Sequence, residues 1–142
     1  MRKSLLAAAV TVAVLVPSNA QAQDWRRETC RYQGLTETTW SLREVALTIR
    51  CAASKWSVPG GVREALYIAR RESGLRATAA NPSSSAAGVY QFVSGTWSSV
   101  KARWRDLMQR WSLHASVYNA RANVLLAIRK AHADGWGAWT TA

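Results

Sequence analysis

Acidic residues are scarce in this 142-residue chain: eight Asp and Glu stand against nineteen Lys and Arg, for a formal charge of +11. That balance excludes an acidic surface and favours a polyanionic partner. Basic blocks are missing too. The cations are scattered (Arg70, Arg71, Arg76, Arg103, Arg105, Arg110), with no run of five or more. Neither a nucleic-acid stripe nor a basic amphipathic helix is therefore expected. A solvated basic surface is the plain alternative, and charge alone names no partner. Histidine and cysteine are equally sparse, two of each. None of them lies at ligand spacing, so no metal and no cofactor is expected.

Long apolar runs are also lacking. Leu5 to Val16 is shorter than the ~20 residues that a bilayer-spanning helix needs. It follows Arg2 and Lys3, is broken by Pro17 and Ser18, and leads to the small residues of Ala20-Gln21-Ala22. This is the pattern of a cleaved secretory signal. Residues 1–22 are expected to be removed, leaving 23–142 as one exported domain, secreted or periplasmic or associated with the cell wall, with no membrane span. The alternative is a membrane anchor, which the length disfavours. Losing Arg2 and Lys3 takes the charge from +11 to 11 − 2 = +9. For an exported chain, anionic cell-wall polymers are nearer partners than nucleic acid. Cys30 and Cys51, an isolated pair, most simply form one disulfide in an oxidising compartment; two buried thiols are the alternative.

What the chain does have is helical periodicity. Residues 23–40 show no period and read as an irregular arm. Ser41 with Glu44 makes a capping box, and Leu42, Val45, Ala46, Ile49, Ala53 and Trp56 follow at helical spacing. The next helix runs from about Val62 to Ser73, with Val62, Ala65, Leu66 and Ala69 on one face and Gly74 as its stop. Residues 75–88 are small and polar and read as a loop. A short strand or hairpin limb is expected near Val89 to Val93. Two shorter helices follow, around Trp97 and Leu107, then a stronger one through Leu125 and Leu126 that Gly135 ends. The fold class is mostly α, with one long functional-looking loop.

Glu72 raises the functional question. Ala69, Ile68 and Ala65 lie three, four and seven residues behind it, which places Glu72 on the apolar stripe. Burial and the carbonyls of the last helical turn would favour the protonated acid. A glutamic acid beside a cleft is what general-acid cleavage of a glycosidic bond requires. The alternative is a glutamate paired with an arginine at the edge of the core.

The sequence Glu72-Ser73-Gly74, followed by Gly88-Val89-Tyr90-Gln91-Phe92 and Trp97, resembles the lytic transglycosylases of the lysozyme superfamily. It is similar above all to short members that end in a signature like Gly135-Trp136-Gly137 and Trp139, and Ala122-Asn123-Val124 also suits that group. The likeness covers Arg43 to Trp139. It implies a lysozyme-like single domain in which a small loop or hairpin region lines a substrate cleft, with peptidoglycan glycan strands as partner. It implies Glu72 as catalytic acid, Ser73 as support for the acid and the acetamido sugar, and Tyr90 and Gln91 as cleft lining. Trp136 and Trp97 are candidate sugar platforms, though a tryptophan taken singly is more often a core or rim packing residue. Arg76-Ala77 departs from the Asn-Pro of many members. Tyr118-Asn119-Ala120 precedes the last helix, whereas longer members carry a similar string late in the domain, so the tyrosine role is not transferred.

Glycosidases that use water commonly need two carboxylates ~5–9 Å apart. After Glu72 the acids are Asp106 and Asp134, and Glu64 lies eight residues back, ~12 Å along the helix. No obvious partner follows from the sequence. That fits the family's single-acid route to 1,6-anhydromuramoyl ends on cutting the MurNAc-GlcNAc β-1,4 bond. A hydrolytic muramidase and an inactive cell-wall-binding module remain the alternatives.

Overall fold

The computed structural model describes residues 28–32 and 39–139. The expected signal segment, 1–22, and most of the arm, 23–40, lie outside the described residues. The chain is mostly helical: α1 (Leu42–Lys55), α2 (Gly61–Ser73), α3 (Ser94–Arg103), α4 (Arg105–Arg110) and α5 (Ala120–Asp134), with a final 3-10 turn at Gly137–Trp139. No helix among the described residues is long and apolar enough to cross a membrane.

Helix α5 is the centre. Residues 120–128 are all buried, because apart from Arg121 and Asn123, whose polar groups are hydrogen-bonded, they offer small or apolar side chains on every face. Helix α1 packs against both α5 and α2, and α3 packs against α4 and α5. The helix ends follow the local chemistry. Ser41 Oγ accepts the Glu44 N–H while Glu44 Oε2 accepts the Ser41 N–H, closing the expected box. Gly74 ends α2 in the left-handed region at φ 63°, and Gly135 ends α5.

Cys30 and Cys51 form a disulfide with Cα atoms 5.5 Å apart, tying the arm to α1. Arg121 reinforces that tie. Its buried guanidinium donates to the Thr29 and Trp111 carbonyls. Burial, then the charge of Arg31, lowers its pKa to about 10, so it remains a cation at neutral pH and its carbonyl partners offset the lost hydration.

Two expectations need correction. The inner face of α1 includes Thr48 and Ala52 and leaves Leu42 exposed. Thr48 enters the core because its hydroxyl donates to the Glu44 carbonyl and so carries no unmet polar group inward. Near Val89–Val93 no strand forms; the ladder is limited to isolated bridges, Ala80 with Ala87 and Ala87 with Phe92. Positive φ at Gly88 (79°) and Gln91 (49°) bends the chain into a tight turn before an extended limb can grow.

Candidate active site

The last turn of α2 decides where Glu72 points. The buried residues of α2 are Ala65, Leu66, Ile68, Ala69 and Ser73, so Ser73 occupies the innermost position and Glu72 flanks it. Glu72 is therefore at the edge of the apolar stripe and not at its centre: its side chain keeps 21% of its exposure. The physical reason lies in Ser73, whose hydroxyl is within 2.7 Å of the Val89 carbonyl and 3.1 Å of the Ala69 carbonyl. That contact turns the helix so that serine, not glutamate, meets the turn.

Glu72 is ion-paired. Arg71 Nη2 lies 3.2 Å from Glu72 Oε1 and also donates to the Trp139 carbonyl. Oε2 accepts no hydrogen bond among the described residues. The pairing with arginine that the sequence left open is thus present, and it holds one carboxylate oxygen while the other stays available.

The turn after the loop is held from behind. Asn123, fully buried on α5, accepts the Tyr90 N–H on Oδ1 at 2.9 Å and donates from Nδ2 to the Val117 carbonyl at 2.9 Å. Gly88 presses on the same amide; a Cβ there would stand 2.2 Å from Asn123 Nδ2 and 2.4 Å from the Val117 carbonyl. Sequence reasoning quoted Asn123 only as part of the resemblance and missed this role. A single asparagine inside the apolar run from Ala122 to Ile128 was the available signal.

Gln91 sits at the rim. Its Nε2 donates to the Gly88 and Ala79 carbonyls at 2.9 and 3.2 Å, which closes the loop on itself. Its Oε1 accepts no hydrogen bond among the described residues. Gln91, Phe92, Thr96 and Trp139 line a pit of about 80 Å³.

Tyr90 is not at the rim. Its ring is completely buried and its hydroxyl donates to the Ala65 carbonyl at 2.9 Å. Burial alone pushes the phenol far above its ordinary range. Tyr90 therefore anchors the turn to α2 and offers no face to a ligand. Trp136 is corrected in the same way. It is buried, stacks on Tyr90 at 6.0 Å and donates to the Pro59 carbonyl. Trp97 is likewise packed, against Phe92 at 5.4 Å. Ser73 is buried with its hydroxyl turned to backbone, so it supports the turn and presents nothing to a sugar.

Three of the other acids are engaged. Asp106 pairs with Arg110, Asp134 with Arg103 and Lys130, and Glu44 caps α1. Among the described residues no group of His, Cys, Asp and Glu is arranged to hold a metal ion. No protein-family model matches this chain, and no match to it is found among curated proteins or among solved structures.

Proposed function

We propose that the protein is an exported peptidoglycan-cleaving enzyme, a lytic transglycosylase with a lysozyme-like domain, in which Glu72 is the catalytic acid. One observation carries the reading. The Glu-Ser-Gly, Gly-x-x-Gln and Gly-Trp…Trp segments, remote in sequence, are hydrogen-bonded to one another around Glu72. Ser73 reaches Val89, Trp139 Nε1 donates to the Tyr90 carbonyl, and Arg71 bridges Glu72 and the Trp139 carbonyl.

In this mechanism Glu72 protonates the glycosidic oxygen of the MurNAc-GlcNAc bond through its open Oε2. The acetamido oxygen of the muramoyl residue supports the anomeric carbon as the bond breaks. Glu72 then removes the proton of that sugar's own 6-hydroxyl, whose oxygen closes the 1,6-anhydro ring. No water is consumed. Gln91 Oε1 serves as acceptor for a sugar hydroxyl or amide N–H. The engagement of Asp106, Asp134 and Glu44 with other partners supports the single-acid route over hydrolysis.

Glu72→Gln retains shape but cannot donate a proton to the leaving oxygen. Turnover of peptidoglycan should fall at least ~100-fold, with the thermal midpoint held within about 3 °C because the site is a partly exposed one. Mass spectrometry of the native digest should show anhydro ends, one water lighter than hydrolytic fragments. Reducing ends as the primary product would establish the muramidase alternative, and no cleavage by the native protein would leave a wall-binding module.

A further inference from the structure

The pit beside Gln91 and Trp139 does not end there. It shares Val93, Thr96 and Ala138 with a wider trough of about 600 Å³ that runs on to Ser99, Arg103 and Lys130. The joined groove therefore leads from the Arg71-bonded Trp139 to a cationic end between α3 and α5. A volume of this order suits a short peptide or a comparable organic group.

The charge at that end is unbalanced. Asp134 accepts from Arg103 at 2.8 and 3.1 Å and from Lys130 at 3.0 Å. Its carboxyl is held below its ordinary value of 3.8 by those two hydrogen bonds. One carboxylate thus serves two cations, and the trough end keeps an excess positive charge. Both cations line the trough, and neither has another acid as partner.

We propose that the trough binds the acidic peptide carried by the muramoyl residue, with a free carboxylate of that peptide meeting Arg103 and Lys130. This rests on the reading of Glu72 as a peptidoglycan-cleaving acid. The pit end is tied to Glu72 through Trp139 and Arg71, and in this reading a peptide branching from a muramoyl unit held there follows the trough along Val93 and Thr96. Removing the peptide leaves only the lactyl carboxylate at the muramoyl ring, which is too short to follow the trough to its cationic end. The geometry therefore makes the enzyme selective for strands that still carry their peptides.

The test uses the full mature chain carrying Glu72→Gln, to stop turnover, with two soluble probes. One is a muramoyl glycan oligomer bearing acidic peptides; the other is the same oligomer after the peptides are removed by an amidase. Calorimetric titration should show the peptide-bearing oligomer binding about tenfold more tightly, the two cations each giving up to about fivefold. Arg103→Gln with Lys130→Gln should bring the two affinities together. Asp134→Asn, which frees both cations, should widen the gap, and added salt should narrow it. Equal binding of both probes, or a gap that survives the double substitution, overturns the peptide assignment. In that case normal binding and cleavage of the stripped oligomer would still leave the enzyme reading intact. If neither oligomer binds and the native protein cleaves neither, the enzyme reading fails and the trough assignment falls with it.

Discussion

Asn123→Ala should be among the most damaging single substitutions in the chain. The side chain is completely buried and bonds three backbone groups, the Tyr90 N–H and the Val117 carbonyl at 2.9 Å and the Ala87 carbonyl at 3.5 Å. Alanine leaves the Tyr90 N–H and the Val117 carbonyl without a partner, while the Ala87 carbonyl keeps the Phe92 N–H. Each orphaned group costs about 1–3 kcal/mol, and the vacated amide adds a small cavity term. The sum is about 3–5 kcal/mol, a large share of the ~5–15 kcal/mol that holds a domain together. At about 4 °C per kcal/mol for a domain of this size, the midpoint should drop by about 12–20 °C.

Asn119 provides the comparison. It is the same residue type one helical turn earlier, where Oδ1 caps α5 by accepting the Ala122 N–H at 3.0 Å. Loss of a cap costs about 1 kcal/mol, so Asn119→Ala should lower the midpoint by only about 4 °C. Thermal unfolding followed by circular dichroism separates the two. If Asn119→Ala proves as costly as Asn123→Ala, the account of Asn123 as the fixed point behind the turn is refuted.

Gly88→Ala should be as severe, at about 3 kcal/mol or more, since overpacking and a left-handed backbone act together; a variant with native midpoint would show that the turn can shift away from Asn123. Intact mass after alkylation without reductant should show no modified thiol on Cys30 or Cys51. Reducing that bond should cost about 3 kcal/mol for its loop, a separation of 21 residues. Asp134 has a depressed pKa, so its contribution is full above its ordinary 3.8 and is lost as the pH falls through the lower folded value. Asp134→Asn should flatten that acid limb of the midpoint-against-pH curve, and an unchanged limb would assign it to other carboxylates.

Helices were the legible part of the chain because periodicity and caps are local. The Ser41–Glu44 box, the Gly74 and Gly135 stops and the burial of α5 all follow from residues within a turn of one another. The phase of a helix is another matter. Spacing puts Glu72 and Ser73 on neighbouring lines of α2, and only the Val89 carbonyl, reached through tertiary folding, decides that Ser73 faces in. The same limit explains Tyr90 and Trp136. Each has an apolar ring and one polar atom, a composition equally suited to a cleft wall and to a core with a carbonyl in reach. Their partners, the Ala65 and Pro59 carbonyls, are 25 and 77 residues away in sequence. No local pattern reports them.

That distant pairing also explains how an acid on an open last turn is held still. Tyr90, Phe92, Trp97, Trp136 and Trp139 interlock with ring centroids 5.4–6.0 Å apart. The indole N–H groups of Trp97, Trp136 and Trp139 each end on a backbone carbonyl. Such a cluster has large buried area and no unmet donor, so it resists displacement more than an aliphatic patch of equal size. It fixes Trp139, whose carbonyl fixes Arg71, whose guanidinium in turn holds Glu72 Oε1. Rigidity therefore reaches the carboxylate from the core without the carboxylate entering it. This separates two demands that a buried acid would have to meet together: a fixed position and access from solvent.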